Sequence, residues 1–266
     1  MLRDITIGQF YPVDSVVHRL DPRVKVIAVL VYLISLFAFD SFWGYAVVTL
    51  FLTGAILFSK VPFTYIMKGL KPILFLLVFT SFFNLFMTTG EVAFRWKFIT
   101  ITWQGLWKSL FMAMRLIYLI LGSSLLTYTT TPNQLTDAIE NLLKPFAKIG
   151  VPVHEFAMIM SLALRFIPIL LEETNRIIRA QSARGADFEE GNMFRRMKAM
   201  VAILVPLLAS SIRRAYELAL AMEARCYHGG EGRTKMKPLC YKTKDYMVYG
   251  IVILYLACVI AIGIIC

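Results

Sequence analysis

Long apolar stretches alternate with short polar connections along most of the chain. Five of these stretches are apolar enough to form membrane-crossing helices: residues 24–39, 42–58, 72–87, 110–130 and 246–265. A hydrocarbon core about 30 Å thick needs about 20 helical residues at a rise of about 1.5 Å each. The first three stretches are shorter than this, so they require flanking residues or local thinning of the bilayer. The pattern predicts an all-α integral membrane protein with about five transmembrane helices.

The connection before the fourth stretch has a different periodicity. Apolar and polar residues alternate in "FRWKFITITW", at residues 94–103. A period of two is typical of extended backbone, and tryptophan favours the membrane interface. This connection is therefore predicted to form a short extended or hairpin segment, with Trp96, Trp103 and Trp107 at the interface.

Residues 131–245 combine narrower apolar faces with many charges. The sequence "TTTPNQLTDAIENLL" predicts an amphipathic helix that begins at Thr131, with Pro132 at its first helical position. Its apolar face consists of Leu135, Ile139, Leu142 and Leu143. Pro145 is expected to end or kink this helix.

Two longer segments follow, and each is an apolar run that becomes charged. Arg165 and Pro168 lie near the middle of the first, and the second contains Pro206. An arginine at the centre of a bilayer costs about 3 kcal/mol on insertion scales. Long amphipathic helices at the membrane surface or along a protein seam are therefore favoured, although a further pair of spans, 151–171 and 197–212, remains the alternative.

The charged ends of these two segments repeat one pattern, 41 residues apart. The matching residues are Ile177, Ala180, Ala183 and Arg184 in the first and Leu218, Ala221, Ala224 and Arg225 in the second. Spacings of three and four residues place each set on one helical face. Two alanines on successive turns form a flat strip that another helix or a groove wall can approach closely.

Two interpretations of these ends stay open. Each arginine can complete the helix dipole, with Gly185 or the "CYHGG" turn supplying the cap that follows. Alternatively, each is a docking point, because a planar guanidinium can hold a carboxylate or carbonyls through two hydrogen bonds. Only docking also accounts for the duplicated alanine strips. The predicted docking residues are Ala180, Ala183, Arg184, Gly185, Ala221, Ala224, Arg225 and Cys226.

Composition and charge place the chain in a cell membrane. Of its residues, 58% are hydrophobic and 17% are charged, and the mean hydropathy is +0.67, which is too apolar for an ordinary soluble domain. Basic residues precede the first stretch but are absent from "DSFWGY" after it, so the N-terminus is expected in the cytoplasm. The third connection falls outside by alternation although it contains Arg95, Lys97 and Lys108, which weakly violates this rule.

The same rule divides the chain into three regions. Residues 1–130 form an N-terminal membrane region with four spans, and residues 246–266 form a C-terminal span. Between them, residues 131–245 hold 17 Lys and Arg against 12 Asp and Glu, so this region is expected to be cytoplasmic or interfacial. The C-terminus is then expected outside the cell.

Residues that could support catalysis are sparse. The four Cys and three His have no metal-binding spacing, so neither a metal site nor a cofactor is expected. Glu172 with Glu173, and His154 with Glu155, are adjacent pairs whose side chains diverge by about 100° on a helix, and they are interpreted as solvated groups. No G-x-x-x-x-G-K-[ST] phosphate loop occurs, so ATP hydrolysis is not expected in this chain. We expect neither an enzyme nor a nucleic acid partner.

A stand-alone channel or secondary transporter is the alternative function, with a membrane enzyme less favoured. Arg115 is the candidate gating charge, because intramembrane arginines are commonly functional. Its early position in the fourth stretch favours snorkelling to the outer interface instead. Paired Gly- or Pro-broken helices in repeated halves, which indicate a transporter core, are absent from the sequence.

The chain resembles the transmembrane T component of energy-coupling factor (ECF) transporters. The resemblance rests on "SVVHRLDPRVK" near the N-terminus, several spans, a long basic segment and two motifs of the Ala-Arg-Gly type. It implies that the motifs Ala183-Arg184-Gly185 and Ala224-Arg225-Cys226 end a pair of crossed coupling helices. Cys226 departs from the usual glycine, and Gly229 and Gly230 are the residues then expected to provide the cap.

The resemblance also implies the partners and the process. Each motif would dock in a groove of one of two ATP-binding cassette ATPase subunits. A small membrane substrate-binding subunit, the S component, would then reorient and release a vitamin or a metal ion inside. The T component itself would be a non-catalytic scaffold in the lipid bilayer.

The "HRLDPRVK" segment also has a local physical interpretation. Asp21 is predicted to cap the first span, with Pro22 in its first turn. Arg23 and Lys25 are predicted to extend to the cytoplasmic interface.

Overall fold

The computed structural model describes residues 10–39, 41–88, 91–96, 99–186, 193–230 and 238–265. Its helices are α1 (Pro22–Ser35), α2 (Phe42–Ser59), α3 (Phe63–Leu70), α4 (Leu74–Met87), α5 (Trp103–Thr129), α6 (Pro132–Leu143), α7 (Val153–Ala183), α8 (Met193–Ala224) and α9 (Thr243–Ile265). Two 3₁₀ turns, Lys71–Ile73 and Lys144–Ile149, adjoin α4 and α6. The predicted all-α membrane architecture is confirmed, and it includes one short hairpin.

Five of the described helices are long and apolar enough to cross a membrane: α2, α5, α7, α8 and α9. Helices α2, α5 and α9 correspond to three of the five predicted stretches, 42–58, 110–130 and 246–265, whereas 24–39 and 72–87 are not among the candidate spans. Helices α1 and α4 have 14 residues each, or about 21 Å, which is less than the hydrocarbon thickness. Helices α7 and α8 are long and apolar enough to contain the alternative pair of spans, 151–171 and 197–212.

The hairpin is formed by β1 (Val92–Trp96) and β2 (Ile99–Thr102), which pair antiparallel. Residues 97 and 98, at its turn, lie outside the described residues. Trp103 and Trp107 begin α5 and are both exposed. The prediction of a short extended or hairpin segment before this helix is confirmed, and the position of Trp96, Trp103 and Trp107 at the membrane interface stays a prediction.

The chain divides into two compact units, and the division falls within α6. The described residues of 8–138 and 239–266 form the first unit, and those of 139–238 belong to the second. The core of the first unit joins α1, α2, α5 and α9 with the segment around α3. Its members are Tyr32, Leu36, Phe39, Tyr45, Val48, Leu52, Val61, Ile66, Leu121, Tyr128, Tyr255 and Val259.

Two buried tyrosines of this core direct their hydroxyls to backbone carbonyls of α5. The Tyr32 hydroxyl donates to the Tyr118 carbonyl at 3.0 Å, and the Tyr45 hydroxyl donates to the Phe111 carbonyl at 3.1 Å. An unsatisfied polar group in a nonaqueous core costs several kcal/mol. These rings therefore add packing area without leaving a polar atom unsatisfied.

Gly122 allows α1 and α5 to approach closely. A Cβ at this position would overlap the ring of Tyr32, which is 2% exposed. We expect Gly122→Ala to lower the free energy of unfolding by about 1 to 3 kcal/mol, because the ring cannot shift without losing its hydrogen bond. Thermal unfolding in detergent measures the loss. Gly54→Ala in α2 is the matched control, since nothing lies within 4 Å of its Cβ position; equal melting temperatures for the two variants would contradict the prediction.

Asp21 caps α1 as predicted. One of its carboxylate oxygens accepts from the Arg23 amide at 2.9 Å, and Pro22 occupies the first helical position. The Arg23 guanidinium donates to both oxygens, at 3.0 and 2.8 Å. Burial raises the pKa of Asp21, but the hydrogen bonds and charge of Arg23 outweigh burial and hold the pKa below its usual value.

Arg23 and Lys25 both contact groups of the protein, and their predicted position at the cytoplasmic interface stays a prediction. Arg23 lies 4.0 Å from the ring centre of Tyr241, and Lys25 is only 6% exposed. The Lys25 ammonium donates to the carbonyls of Thr129, at 2.8 Å, and His18, at 3.2 Å. Thr129 is the last residue of α5, so its carbonyl has no partner within that helix. Lys25 reaches an acceptor inside the protein and completes the end of α5.

Arg115 is also held by the protein. It is the thirteenth residue of α5, because this helix begins before the predicted stretch. Its Nη2 donates to the Phe39 carbonyl, just after α1, at 3.1 Å. This contact ties α5 to the segment after α1, while the extension of Arg115 to the outer interface stays a prediction.

Helix α6 begins as predicted. The Gln134 amide donates to Oγ1 of Thr131 at 3.3 Å, and the Thr131 amide donates to Oε1 of Gln134 at 3.1 Å. This reciprocal capping box supports Pro132 at the first helical position. The helix gives way to the 3₁₀ turn Lys144–Ile149, which contains Pro145. The predicted break is confirmed.

Helices α7 and α8 form most of the second unit and pack against each other. They have 31 and 32 residues, so each is about 46 to 48 Å long. Pro168 and Pro206 lie inside them without ending them. Each helix is therefore one continuous element that leads to one of the repeated ends.

Candidate functional site

The end of α7 is a complete Schellman cap. Ala183 is the last helical residue, and Gly185 takes the left-handed conformation with φ +85°. The Gly185 amide donates to the Ser182 carbonyl and the Ala186 amide to the Gln181 carbonyl, both at 3.0 Å. These two bonds satisfy carbonyls that the helix end would otherwise leave unsatisfied. Residues 177–185 are called the first repeat end.

The end of α8 reproduces this cap, with every residue shifted by 41 positions. The Cys226 amide donates to the Glu223 carbonyl at 2.8 Å, and the Tyr227 amide donates to the Met222 carbonyl at 3.1 Å. Cys226 has φ +53°. Residues 218–226 are called the second repeat end. The repeat in sequence is therefore a repeat in backbone structure.

The expectation that Gly229 or Gly230 replaces the missing glycine is wrong. The cap forms at Cys226 itself, although left-handed backbone costs a residue with a side chain about 1 to 2 kcal/mol. The His228 ring donates to the Cys226 carbonyl at 2.8 Å and supports this conformation. The substitution therefore changes the energy of the cap but not its geometry.

A glycine exchange between the two repeat ends should change their stability in opposite directions. We expect Cys226→Gly to stabilise the end of α8 by about 1 kcal/mol and Gly185→Ala to destabilise the end of α7 by a similar amount. Nothing lies within 4 Å of a Cβ on Gly185, so only backbone strain would contribute there. Hydrogen exchange of the Tyr227 and Ala186 amides measures both effects. Cys226→Ala is the control, because it keeps the Cβ; protection equal to that of Cys226→Gly would contradict the explanation.

All eight predicted docking residues are exposed. They are Ala180, Ala183, Arg184, Gly185, Ala221, Ala224, Arg225 and Cys226. Ile177 and Leu218, at the start of the two repeat ends, are half-buried. Each repeat end therefore presents its alanine strip and its arginine outward while its apolar residue is partly covered.

Arg184 and Arg225 follow directly after the last helical residues of α7 and α8. A cation in this position interacts favourably with the negative end of the helix dipole. Within the described residues, neither guanidinium forms an ion pair. The helix-end interpretation and the docking interpretation are both compatible with this geometry, so docking remains a prediction.

An ion pair between α7 and α8 was missed at the sequence level. Oε2 of Glu173 and Nη2 of Arg214 are 3.1 Å apart, so the interpretation of Glu173 as a solvated group beside Glu172 is wrong. Glu173 and Arg214 are themselves 41 residues apart. The sequence signal for Glu173 and Arg214 is this spacing, because the 41-residue repeat continues from the repeat ends toward the N-terminus and includes both residues.

A second contact fixes the relative direction of α7 and α8. The Gln181 amide group donates to the Ala202 carbonyl at 3.3 Å. Moving forward along α7 from Glu173 to Gln181 therefore means moving backward along α8 from Arg214 to Ala202. The two helices run in opposite directions where they meet.

His154 contacts Glu140 and not its neighbour Glu155. Its Nδ1 is 3.1 Å from Oε1 of Glu140. A Cβ on Gly230 would overlap the His154 ring, so the segment after the second repeat end packs against the start of α7. In the parts of the chain that the structure describes, no three His, Cys, Asp or Glu residues are grouped so that they could hold a metal ion.

Comparison with known proteins shows the family. The family model described as "CbiQ: Cobalt transport protein" matches residues 14–236. The "Energy-coupling factor transporter transmembrane protein EcfT" of Ruminiclostridium cellulolyticum is 52% identical, over 98% of this chain and 97% of that protein. The chain belongs to the EcfT family. The EcfT proteins of Clostridium kluyveri and Bacillus subtilis are 56% and 46% identical, each over 93% of this chain and at least 92% of the relative.

Membership in the EcfT family confirms the resemblance drawn from the sequence. The chain is the transmembrane component of an energy-coupling factor transporter and a multi-pass membrane protein. The family match includes both repeat ends and the Glu173–Arg214 pair. The EcfT relatives match almost the whole chain.

Proposed function

We propose that this EcfT protein is a non-catalytic scaffold that couples two ATPase subunits to a substrate-binding S component. ATP hydrolysis by the ATPases drives reorientation of the S component and uptake of a vitamin or a metal ion. One observation carries the proposal: the same Schellman cap, exposed alanine strip and arginine occur twice, at the ends of two antiparallel helices.

The number and placement of the repeat ends favour two similar partners. Ala183 lies ten residues beyond Glu173, and Ala224 lies ten residues beyond Arg214, which corresponds to about 15 Å along each helix. Since α7 and α8 run in opposite directions, their ends leave the ion pair on opposite sides. Each repeat end can therefore engage its own subunit, and the two subunits would be arranged as a pair.

The chemistry of each repeat end defines the groove that would receive it. Alanine on successive turns allows a groove wall to approach the helix backbone. The arginine requires carboxylate or carbonyl oxygens, which it can hold through two hydrogen bonds. We expect each ATPase subunit to offer an apolar groove with such acceptors at its end.

Long helices suit the transmission of a movement. Closure of the ATPase subunits would displace the repeat ends, and α7 and α8 would carry this displacement along their length to the face that holds the S component. The excess of Lys and Arg in residues 131–245 favours a cytoplasmic position for the repeat ends, where ATP is available. The N-terminus lies on the same side in this proposal, and the C-terminus lies outside.

Purification of the tagged full-length chain from its native membrane tests the proposal. We expect two ATP-binding cassette subunits and a small apolar membrane protein to co-purify. The complex in liposomes should take up at least one of a panel of radiolabelled vitamins and divalent metal ions only when ATP is supplied on the ATPase side. A chain that purifies alone and transports without ATP would support a channel or secondary transporter and overturn the proposal.

A further inference from the structure

The contact between α7 and α8 joins counterpart positions of the 41-residue repeat. Oε2 of Glu173 and Nη2 of Arg214 are 3.1 Å apart, and the two side chains are 21% and 34% exposed. The adjacent residues Glu172 and Arg213 are also 41 positions apart, but both are exposed and no ion pair joins them within the described residues. The ion pair is therefore specific to one position of the repeat.

This position is equidistant from the two repeat ends. Ten residues separate Glu173 from Ala183 on α7, and ten separate Arg214 from Ala224 on α8. The helices run in opposite directions, as the hydrogen bond from Gln181 to Ala202 also shows. The ion pair thus lies the same number of residues before both repeat ends on two antiparallel helices.

We propose that Glu173 and Arg214 are positioning residues that fix the crossing point of α7 and α8, so that a displacement of one repeat end is delivered to the other helix. The proposal rests on the function proposed above. Packed helices can shift past one another by small sliding movements. A charge-assisted hydrogen bond between partly covered groups has a defined distance and direction. In some coiled coils a single polar residue at the contact fixes the register of the helices.

The variants separate positioning from docking. Glu173→Gln and Arg214→Gln each remove one charge while keeping a side chain of similar size. The charge swap combines Glu173→Arg with Arg214→Glu and restores an ion pair of opposite direction. Glu172→Gln and Arg213→Gln are the matched controls, because they remove exposed charges one residue away.

The informative readout is substrate taken up per ATP hydrolysed by the purified complex in liposomes. We expect both single variants of the pair to keep their ATPase subunits and to hydrolyse ATP. Their uptake per ATP should fall by about fivefold or more, the lower end of measured coupling between sites. The charge swap should recover most of the loss, and the controls should match the unaltered protein.

Unchanged uptake per ATP in both single variants would overturn the proposal, and so would an equal loss in the controls. A charge swap that recovers no uptake per ATP, or that fails to assemble, would also overturn it. Failure of the underlying function is recognised separately, because the unaltered chain would then lack ATPase subunits or ATP-dependent uptake. If the unaltered complex couples normally and only the swap fails to recover, the pair has a merely structural role.

Discussion

Replacing both Arg184 and Arg225 with alanine is expected to remove the ATPase subunits from the purified complex and to abolish ATP-dependent uptake. Both guanidinium groups are exposed and form no ion pair within the described residues, so the substitutions leave the fold of the chain intact. An arginine at the centre of an interface commonly contributes about 2 kcal/mol or more. Since the two subunits are proposed to bind as a pair, loss of both arginines weakens binding of the pair about a thousandfold, at about 1.4 kcal/mol per factor of ten.

Each single variant is expected to keep part of the complex, because one repeat end still docks. Quantitative mass spectrometry of the co-purified subunits measures the loss, with the abundance of the chain in the membrane as the folding control. Arg176→Ala and Arg213→Ala are matched controls, since these arginines are exposed on the same two helices but lie before the repeat ends. A double variant that retains its ATPases and full uptake would reduce both motifs to simple helix caps.

Asp245→Ala is expected to destabilise the first unit by about 3 kcal/mol. Asp245 is 2% exposed, and its carboxylate accepts from the backbone amides of Asp21, at 2.9 Å, and Lys242, at 2.7 Å. Hydrogen bonds to a charged group contribute about 1.5 to 3 kcal/mol each, and alanine would leave both amides without this acceptor. The starts of α1 and α9 would lose their connection.

Thermal unfolding and membrane abundance measure this effect. Asp245→Asn keeps one acceptor oxygen and should retain roughly half of the stabilisation. Asp14→Asn is a surface control, because the ion pair of Asp14 with Arg19 is exposed and solvent screening leaves such pairs with little effect on stability. A melting temperature for Asp245→Ala equal to that of Asp14→Asn would show that the carboxylate does not hold the two helices together.

Local features of this fold could be predicted from the sequence because they depend on a few neighbouring residues. Asp21 followed by Pro22 specifies a helix start, and alternation in "FRWKFITITW" specifies extended backbone. The matched spacing of Ala180 and Ala183 with Ala221 and Ala224 likewise fixes a shared helical face. For these elements the responsible interactions lie within one or two turns of the chain.

Other features depended on partners distant in sequence. The sequence around Lys25 gives no sign that its ammonium donates to the carbonyl at the end of α5, 104 residues away. Propensity alone predicts glycine at a left-handed cap. The cap nevertheless forms at Cys226, because a residue with a side chain can adopt this backbone at a small cost in free energy. The ends of α7 and α8 were recognised as similar, but the packing of one helix on the other decides which charged residues meet.

Opposite charges at counterpart positions make α7 and α8 selective for each other. In an antiparallel pair of identical helices, the residue at the crossing faces its own copy. Two copies of α7 would bring Glu173 against a second glutamate, and two copies of α8 would bring Arg214 against a second arginine, so both self-pairings would be repulsive. Two helices that arose by duplication can therefore keep the same exposed surface at their C-terminal ends. A single different residue at the crossing prevents each helix from pairing with a second copy of itself.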